Sequence, residues 1–485
     1  MKRSGWIILI PAAFFFIVNF AVSSVKVLFF SRSIYFFFLI SLFFFLRRFH
    51  LNKIIKSAVG GVSLIVFFYG VIQKFILFPY YLNNLSQGQD FYSRAMITRI
   101  KSGRIFSIFT LPTLYAIVCA VLVLFIFHYL IKSTSLKGKI FWFLLLVFGL
   151  FNLVLTQSFG GILCLSVGIL LYLILSGILN LKYVVPAVMV LALFFFLITG
   201  LRFSEAKKLE PVKLRISNWA QSGRMIMANP VWGQGLGSYE SNVSYFTYPG
   251  EARSIYAHNF FLQFTAESGI IIAFFILLSL FFSRKTLKPL NIEEDEKVLY
   301  ITAFLILLFY NLIDIGFYFF SAGIAGAICL SRIYPRKGKY FKLNIAVLVL
   351  LSVFLIAENI SDTYQKRGEY WLNQKDYIEA ENNYKKSLHI NPYNLRSLMG
   401  YAKIHYDKYD YPGSEYYLDK ILTFFPDSSF ANAMKTNIAF KKKQYFRSFY
   451  HARKAGNKNR LNRTHKRQYE TIKNYLQAEL TESEN

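Results

Sequence analysis

The sequence predicts an all-α, polytopic membrane protein of about eleven transmembrane helices followed by a helical repeat domain. Three observations carry that expectation. The 485 residues are 55% hydrophobic and 19% aromatic, too apolar for an ordinary soluble enzyme and too long for one domain. Apolar runs long enough to cross roughly 30 Å of hydrocarbon recur along the first three quarters of the chain. After residue 358 the pattern turns polar and helical.

The apolar runs fall near residues 5–22, 28–46, 56–78, 107–131, 140–156, 160–178, 183–200, 260–282, 298–316, 318–333 and 342–357. The first, in "MKRSGWIILIPAAFFFIVNF", has a basic end and an apolar core but no small-residue cleavage site, so it reads as a retained span. The basic connections "RRFHLNKIIK", "KSTSLKGK", "SRKTLKP" and "SRIYPRKGKYFK" share one side if the N-terminus is cytoplasmic, as the positive-inside rule prefers. The loops 79–106 and 201–258, and everything after 358, then face outward. The loop 79–106 carries Arg94, Arg99, Lys101 and Arg104 against that rule, which points to anionic ligands outside.

The net charge of +29 fits anionic headgroups or phosphates better than nucleic acid, for which no motif is present. Cys119, Cys164 and Cys329 all lie inside apolar runs, where a thiol behaves as a small hydrophobe and is poorly placed for a disulfide or a metal.

In the polar region, "RGEYWLNQKDYIEAENNYKKSLHINP" aligns with "MGYAKIHYDKYDYPGSEYYLDKILTFFP". The alignment sets Pro392 and Pro426 one repeat apart. Gly368, Ala380 and Tyr384 stand where paired helices need small or aromatic residues to interdigitate. The region resembles tetratricopeptide repeats, with a weaker third copy from about Ser429 to Arg460. It implies a repeat domain over 358–466 and a polar tail over 467–485. Such repeats bind peptide segments on a concave face, and a structural cap or self-association domain is an equal alternative.

The longest polar gap between spans holds "NPVWGQGLGSYE" and "IYAHNFFLQFTAESG". Gly233, Gly235 and Gly237 fit neither a Walker loop nor a dinucleotide fingerprint, so with Asn229 and Pro230 they read as the end of a helix and a tight turn. On that preceding helix, about Val212 to Met227, Arg215, Trp219 and Ile226 share a face and Arg224 lies opposite. With Trp219 and Ile226 down in the interface, Arg215 points toward membrane depth, where it either snorkels or grips a phosphate; Arg224 is expected to be solvated. His258 is a candidate proton acceptor or a plain hydrogen-bonding residue at a span boundary. Glu267 either orients the site or caps an interfacial network, and Asp314 is an ionisable group near membrane depth.

The ordered set "RISNWAQ", "NPVWGQGLGSY" and "AHNFFLQFTAESGI" resembles the signature region of the O-antigen ligase and polymerase family of membrane glycosyltransferases, over about residues 90–335. The resemblance implies a GT-C-like fold over 1–357, with a catalytic periplasmic loop over 201–258, in a bacterial inner membrane. It implies a polyprenyl-diphosphate-linked glycan as donor, no metal or nucleotide cofactor, and inversion at the anomeric carbon. The acceptor is lipid A core, a protein hydroxyl or a growing glycan. By that resemblance Arg215 contacts the diphosphate and His258 acts in or near acceptor activation. Many members carry an arginine after the serine of the segment like "LTQSFGGIL", whereas Phe159 stands here. Arg202, Arg99 and Arg104 are the candidate replacements, with Arg224 and Glu267 as further donor-contacting candidates. A lipid-linked glycan exporter is the alternative from another class; it would line a continuous path with cations and have no need of His258.

Overall fold

A computed structural model describes residues 17–23, 25–49, 52–85, 100–179, 210–248, 250–251, 254–271, 294–333, 341–458 and 463–483. Every regular element among them is helical. The membrane part comprises α1 (Lys26–Leu46), α2 (Asn52–Ile72), α3 (Phe78–Leu85), α4 (Pro112–Lys132), α5 (Leu136–Leu155) and α6 (Phe159–Leu175). The gap region contributes α7 (Glu210–Ala228), a single turn α8 (Tyr239–Asn242) and α9 (Phe260–Ser268). Next come α10 (Glu294–Ile313), α11 (Phe320–Ile333) and the long α12 (Phe341–Asn373). Six shorter helices follow: α13 (Tyr377–Ile390), α14 (Leu395–Asp407), α15 (Tyr411–Phe424), α16 (Ser429–Lys441), α17 (Tyr445–Lys458) and α18 (Arg463–Ser483).

Local chemistry sets these ends. Pro112 opens α4, where its missing N–H costs nothing. Ser135 and Ser158 cap α5 and α6 by accepting the N–H groups of Gly138 and Gly161. Among the described residues six helices are long and apolar enough to cross a membrane: Lys26–Leu46, Asn52–Asn84, Pro112–Lys132, Leu136–Leu155, Glu296–Ile313 and Asn344–Asn373. Phe159–Leu175 and Phe320–Ile333 are apolar but shorter. The expected span 183–200 lies outside the described residues, and 5–22 enters them only through helical residues 17–22. The count of about eleven spans is therefore not reached among the described residues.

Two expected spans differ in form. The run 260–282 is not a continuous helix, because α9 stops at Gly269, whose φ of +83° ends the helical path. The run 56–78 continues past its expected end through a π-helical turn at Gln73–Leu77 into α3. There the Gln73 side-chain oxygen accepts the N–H groups of Phe106 (2.8 Å) and Ser107 (2.9 Å), tying the following loop to the bulge.

The central element is α4, with 72% of its most apolar window buried; it packs against α2, α5, α6 and α10. Glycines allow that closeness. A Cβ at Gly161 of α6 would lie 3.2 Å from the Ala116 backbone of α4, and one at Gly168 would strike Ile306 of α10.

The helices from α12 onward pack in sequence as hairpins: α12 with α13, α14 with α15, α16 with α17, and α18 against α17. Their turns repeat: Lys375, Tyr409 and Lys443, each 34 residues from the next, all adopt positive φ, at 61°, 62° and 59°. The interdigitation expected at Gly368, Ala380 and Tyr384 is present. Tyr384 is buried, with its ring wedged against Gly368 and Gly400, where a side chain would overlap it. The expected domain boundary at 357/358 falls inside α12, which runs unbroken across it.

Gly400→Val should push into the Tyr384 ring and destabilise the hairpin region by about 1–3 kcal/mol. Thermal unfolding of the full chain in detergent, compared with an exposed-site substitution such as Tyr416→Phe, should show the loss for Gly400→Val alone.

Candidate functional site

Residues 229–239 wrap the C-terminal end of α9. The last carbonyls of a helix lack intrahelical partners, and this loop supplies them: Gln234 N–H donates to Ala266 O (2.9 Å) and Gly235 N–H to Glu267 O (2.8 Å). Ile270 N–H returns a bond to Pro230 O (2.9 Å). Such contact requires glycine at 233 and 235. Both have positive φ, and a Cβ would meet the Glu267 backbone at Gly233 and Ser23 at Gly235. The glycines are thus structural, as their failure to match a nucleotide motif suggests.

Glu267 lies at the centre of this packing. Its carboxylate is 1% exposed and accepts four bonds: from Gly237 N–H (2.8 Å), Tyr239 N–H (3.3 Å), Gln263 Nε2 (3.3 Å) and Tyr318 O–H (2.6 Å). The geometry places Glu267 in a buried hydrogen-bond network, each carboxylate oxygen accepting two of these bonds. Asn19, near the N-terminus, joins the same node. Its amide donates to Trp232 O (2.6 Å) and Glu267 O (3.0 Å), and its oxygen accepts Leu236 N–H (3.0 Å). Arg32 of α1 stacks on the Tyr318 ring at 4.9 Å and donates to Tyr318 O (3.2 Å). Sequence reasoning missed Asn19 and Arg32, although a charged residue inside the apolar run "FFSRSIYFF" is itself a signal.

His258 stands just before α9 with φ of +51°, a strained value for a residue with a side chain. Bonds on both sides hold it there. Ala257 N–H donates to Gln263 Oε1 (3.0 Å), the Trp219 indole donates to His258 O (3.3 Å), and Phe260 N–H donates to Asp314 O (3.0 Å). Asn259 caps α9 through Leu262 N–H (3.0 Å) and reaches Leu312 O (2.8 Å).

The constrained backbone aims the imidazole at Asp314, immediately after α10, with Nδ1 3.1 Å from Oδ1. Asp314 also accepts from the Tyr310 hydroxyl (3.2 Å) and from Ile315 N–H (3.0 Å). A carboxylate accepts only, so the bond places a proton on Nδ1, and in the neutral imidazole Nε2 is then the acceptor nitrogen. The Asp314 side chain is 4% exposed and that of His258 32%, so the imidazole alone of the two is accessible.

Arg215 lies on α7 one turn before Trp219, with its charge felt at the Asp314 carboxylate and no ion-pair partner among the described residues. On the face that Arg215 and Trp219 share, the Trp219 indole meets the His258 loop. Periodicity identifies a face; packing decides what covers it. The exposed large apolar side chains of α7 are Val212, Leu214, Ile216 and Met227.

Arg224 is not solvated as expected. It pairs with Glu251, donates to Phe246 O (2.7 Å) and lies over the Tyr248 ring at 4.1 Å, pinning the loop after α8. Burial alone would raise the Glu251 carboxyl, but Arg224 and the Tyr248 N–H hold it below the usual carboxylate range. The pair therefore stabilises the loop above the ordinary carboxylate pKa, and that contribution is lost as pH falls through the lowered value. Arg104 donates to Thr156 O (3.0 Å), in the turn leading to Phe159. Arg99 and Arg202 lie outside the described residues.

Residues 143–278 match the O-antigen ligase family model. No curated protein and no solved structure matches the chain. The matched segment contains α7, the glycine loop, His258 and α9, and it ends before Asp314, which only the fold brings to His258. With the apolar helices, the match supports a multi-pass membrane glycosyltransferase of the O-antigen ligase and polymerase kind.

Glu267→Ala would leave three buried donors and the Gln263 amide without their acceptor, at about 3–5 kcal/mol. Thermal melting and activity should fall together. Activity loss with an unchanged melting temperature would instead return Glu267 to direct substrate contact.

Proposed function

We propose that the chain transfers a glycan from a polyprenyl-diphosphate carrier to an acceptor hydroxyl at the periplasmic face of a bacterial inner membrane. The observation that carries this reading is the His258–Asp314 pair beside Arg215, which has no ion-pair partner among the described residues, within and next to a segment matching the O-antigen ligase model. In the proposed step His258 Nε2 takes the proton of the acceptor hydroxyl. The oxygen attacks the anomeric carbon, the bond from that carbon to the diphosphate oxygen breaks, and lipid diphosphate leaves with inversion. Asp314 stabilises the imidazolium that forms, and Arg215 offsets charge developing on the leaving diphosphate through its bidentate fork.

The helical hairpins after α12 form, in this reading, a tetratricopeptide domain on the same side as the site. Its role is recruitment of a protein partner or acceptor. The acceptor classes stay as the sequence leaves them: lipid A core, protein hydroxyl or growing glycan. Deleting the gene and identifying the glycoconjugate that disappears, and the lipid-linked precursor that accumulates, distinguishes them.

Transfer from purified lipid-linked glycan tests the chemistry. His258→Gln should lose about 10²- to 10⁴-fold in turnover, keep donor binding and lose the wild-type pH profile. Asp314→Asn, which removes the negative charge and replaces one accepting oxygen by a donor NH2, so that the Nδ1–H tautomer is no longer enforced, should act in the same direction. Arg215→Lys keeps the charge without the fork and should impair transfer with protein abundance unchanged. Wild-type rates in all three would remove the proposal.

The orientation has a separate test. Reporters fused after Lys466 and near Lys285 should report opposite sides of the membrane, the first periplasmic; the same side for both would overturn the topology.

A further inference from the structure

Asn218 is 1% exposed, yet neither its amide nitrogen nor its amide oxygen has a hydrogen-bond partner among the described residues. Leaving such groups unmade inside a protein costs about 1–3 kcal/mol each, and an apolar side chain of the same size would avoid that cost. The backbone around it is satisfied: Asn218 O accepts from the Ser222 hydroxyl (2.7 Å) and from the Tyr239 hydroxyl (3.4 Å), which themselves lie 3.0 Å apart. The fold therefore uses the backbone of this residue and not its amide.

Its position gives the amide a use. Arg215, Asn218, Trp219 and Ser222 are spaced to share one face of α7, the face whose Trp219 reaches the His258 carbonyl. Residues three apart on a helix have Cβ atoms about 5–6 Å from each other. A group joined directly to a diphosphate held by Arg215 lies about one helical turn from Asn218, whose enclosed amide must turn toward it to make contact, and in a glycan donor that group is the first sugar.

We propose that Asn218 is a specificity-determining residue that hydrogen-bonds a hydroxyl of the sugar attached to the diphosphate; the inference rests on the glycosyl-transfer reading above. The unused pair of atoms selects the ligand chemistry. A phosphate oxygen only accepts and would leave Oδ1 unpaired, whereas sugar hydroxyls donate and accept and can satisfy both Nδ2 and Oδ1. In a water-poor setting such a contact discriminates strongly, because a ligand lacking the hydroxyl leaves the amide unpaired.

The test uses the full chain in detergent or nanodiscs with two probes: a polyprenyl diphosphate without sugar, and the same lipid diphosphate bearing a single hexose. Asn218→Leu should bind the bare lipid diphosphate as the wild type does and bind the hexose-bearing lipid at least about tenfold more weakly, with an equal or higher melting temperature. Arg215→Ala should weaken binding of both probes. If Asn218→Leu does not accumulate, Asn218→Ala removes the amide without adding volume, and the same difference between probes is read. Equal effects on both probes, no effect on either, or a lower melting temperature with the difference between probes unchanged would overturn the role and assign the amide to the fold or to a structural water. A wild type that binds neither probe would instead sink the glycosyl-transfer reading itself.

Discussion

The buried carboxylate of Glu267 is the interaction on which the site depends. Four donors from the glycine loop, α9 and the segment after α10 converge on it. Each bond is strengthened by the low local dielectric, and each donor would be costly to leave unmade. The node joins elements far apart in sequence, since Asn19 and Arg32 reach the same cluster from the first part of the chain. A loop anchored in this way does not wander, and His258 lies on its continuation, directly before α9.

That anchoring bears on the strain at His258. A non-glycine residue at positive φ costs on the order of 1–3 kcal/mol and persists only where its neighbours over-determine it. Here Gln263, Trp219 and the Asp314 backbone hold the peptide units on either side. Gln263 in turn bonds Glu267. The same network that closes the end of α9 thereby aims Nδ1 of the imidazole at Asp314 while the His258 side chain stays partly exposed. The two acidic residues differ in what they hold: Glu267 is buried and accepts four bonds, while Asp314 keeps one oxygen on a histidine whose side chain is 32% exposed.

The arginines divide in the same manner. Arg224 and Arg104 are committed to a carboxylate or to backbone carbonyls and hold loops in place. Arg215 has no such commitment among the described residues and stands where its charge reaches the Asp314 carboxylate. Formal charge is identical in all three. What differs is whether the fold has already used the guanidinium, and that decides which of them can serve an anionic ligand.

Much of this protein was legible in the sequence because the relevant signals are local. Apolar runs specify membrane helices, the 34-residue interval reappears in the left-handed turns at Lys375, Tyr409 and Lys443, and Tyr384 packs against glycine as its spacing implies. His258 and Arg215 stand out in the same way, as residue types unusual between spans, and their roles belong to the proposal. The tertiary structure alone decided the rest. It paired His258 with Asp314 across 56 positions of chain, turned the Trp219 face of α7 toward protein, broke the helix of 260–282 at Gly269, and gave Arg224 an acidic partner. Periodicity reports which side chains lie together on one element, whereas the identity of what they meet depends on the packing of segments distant in sequence, which no local pattern encodes.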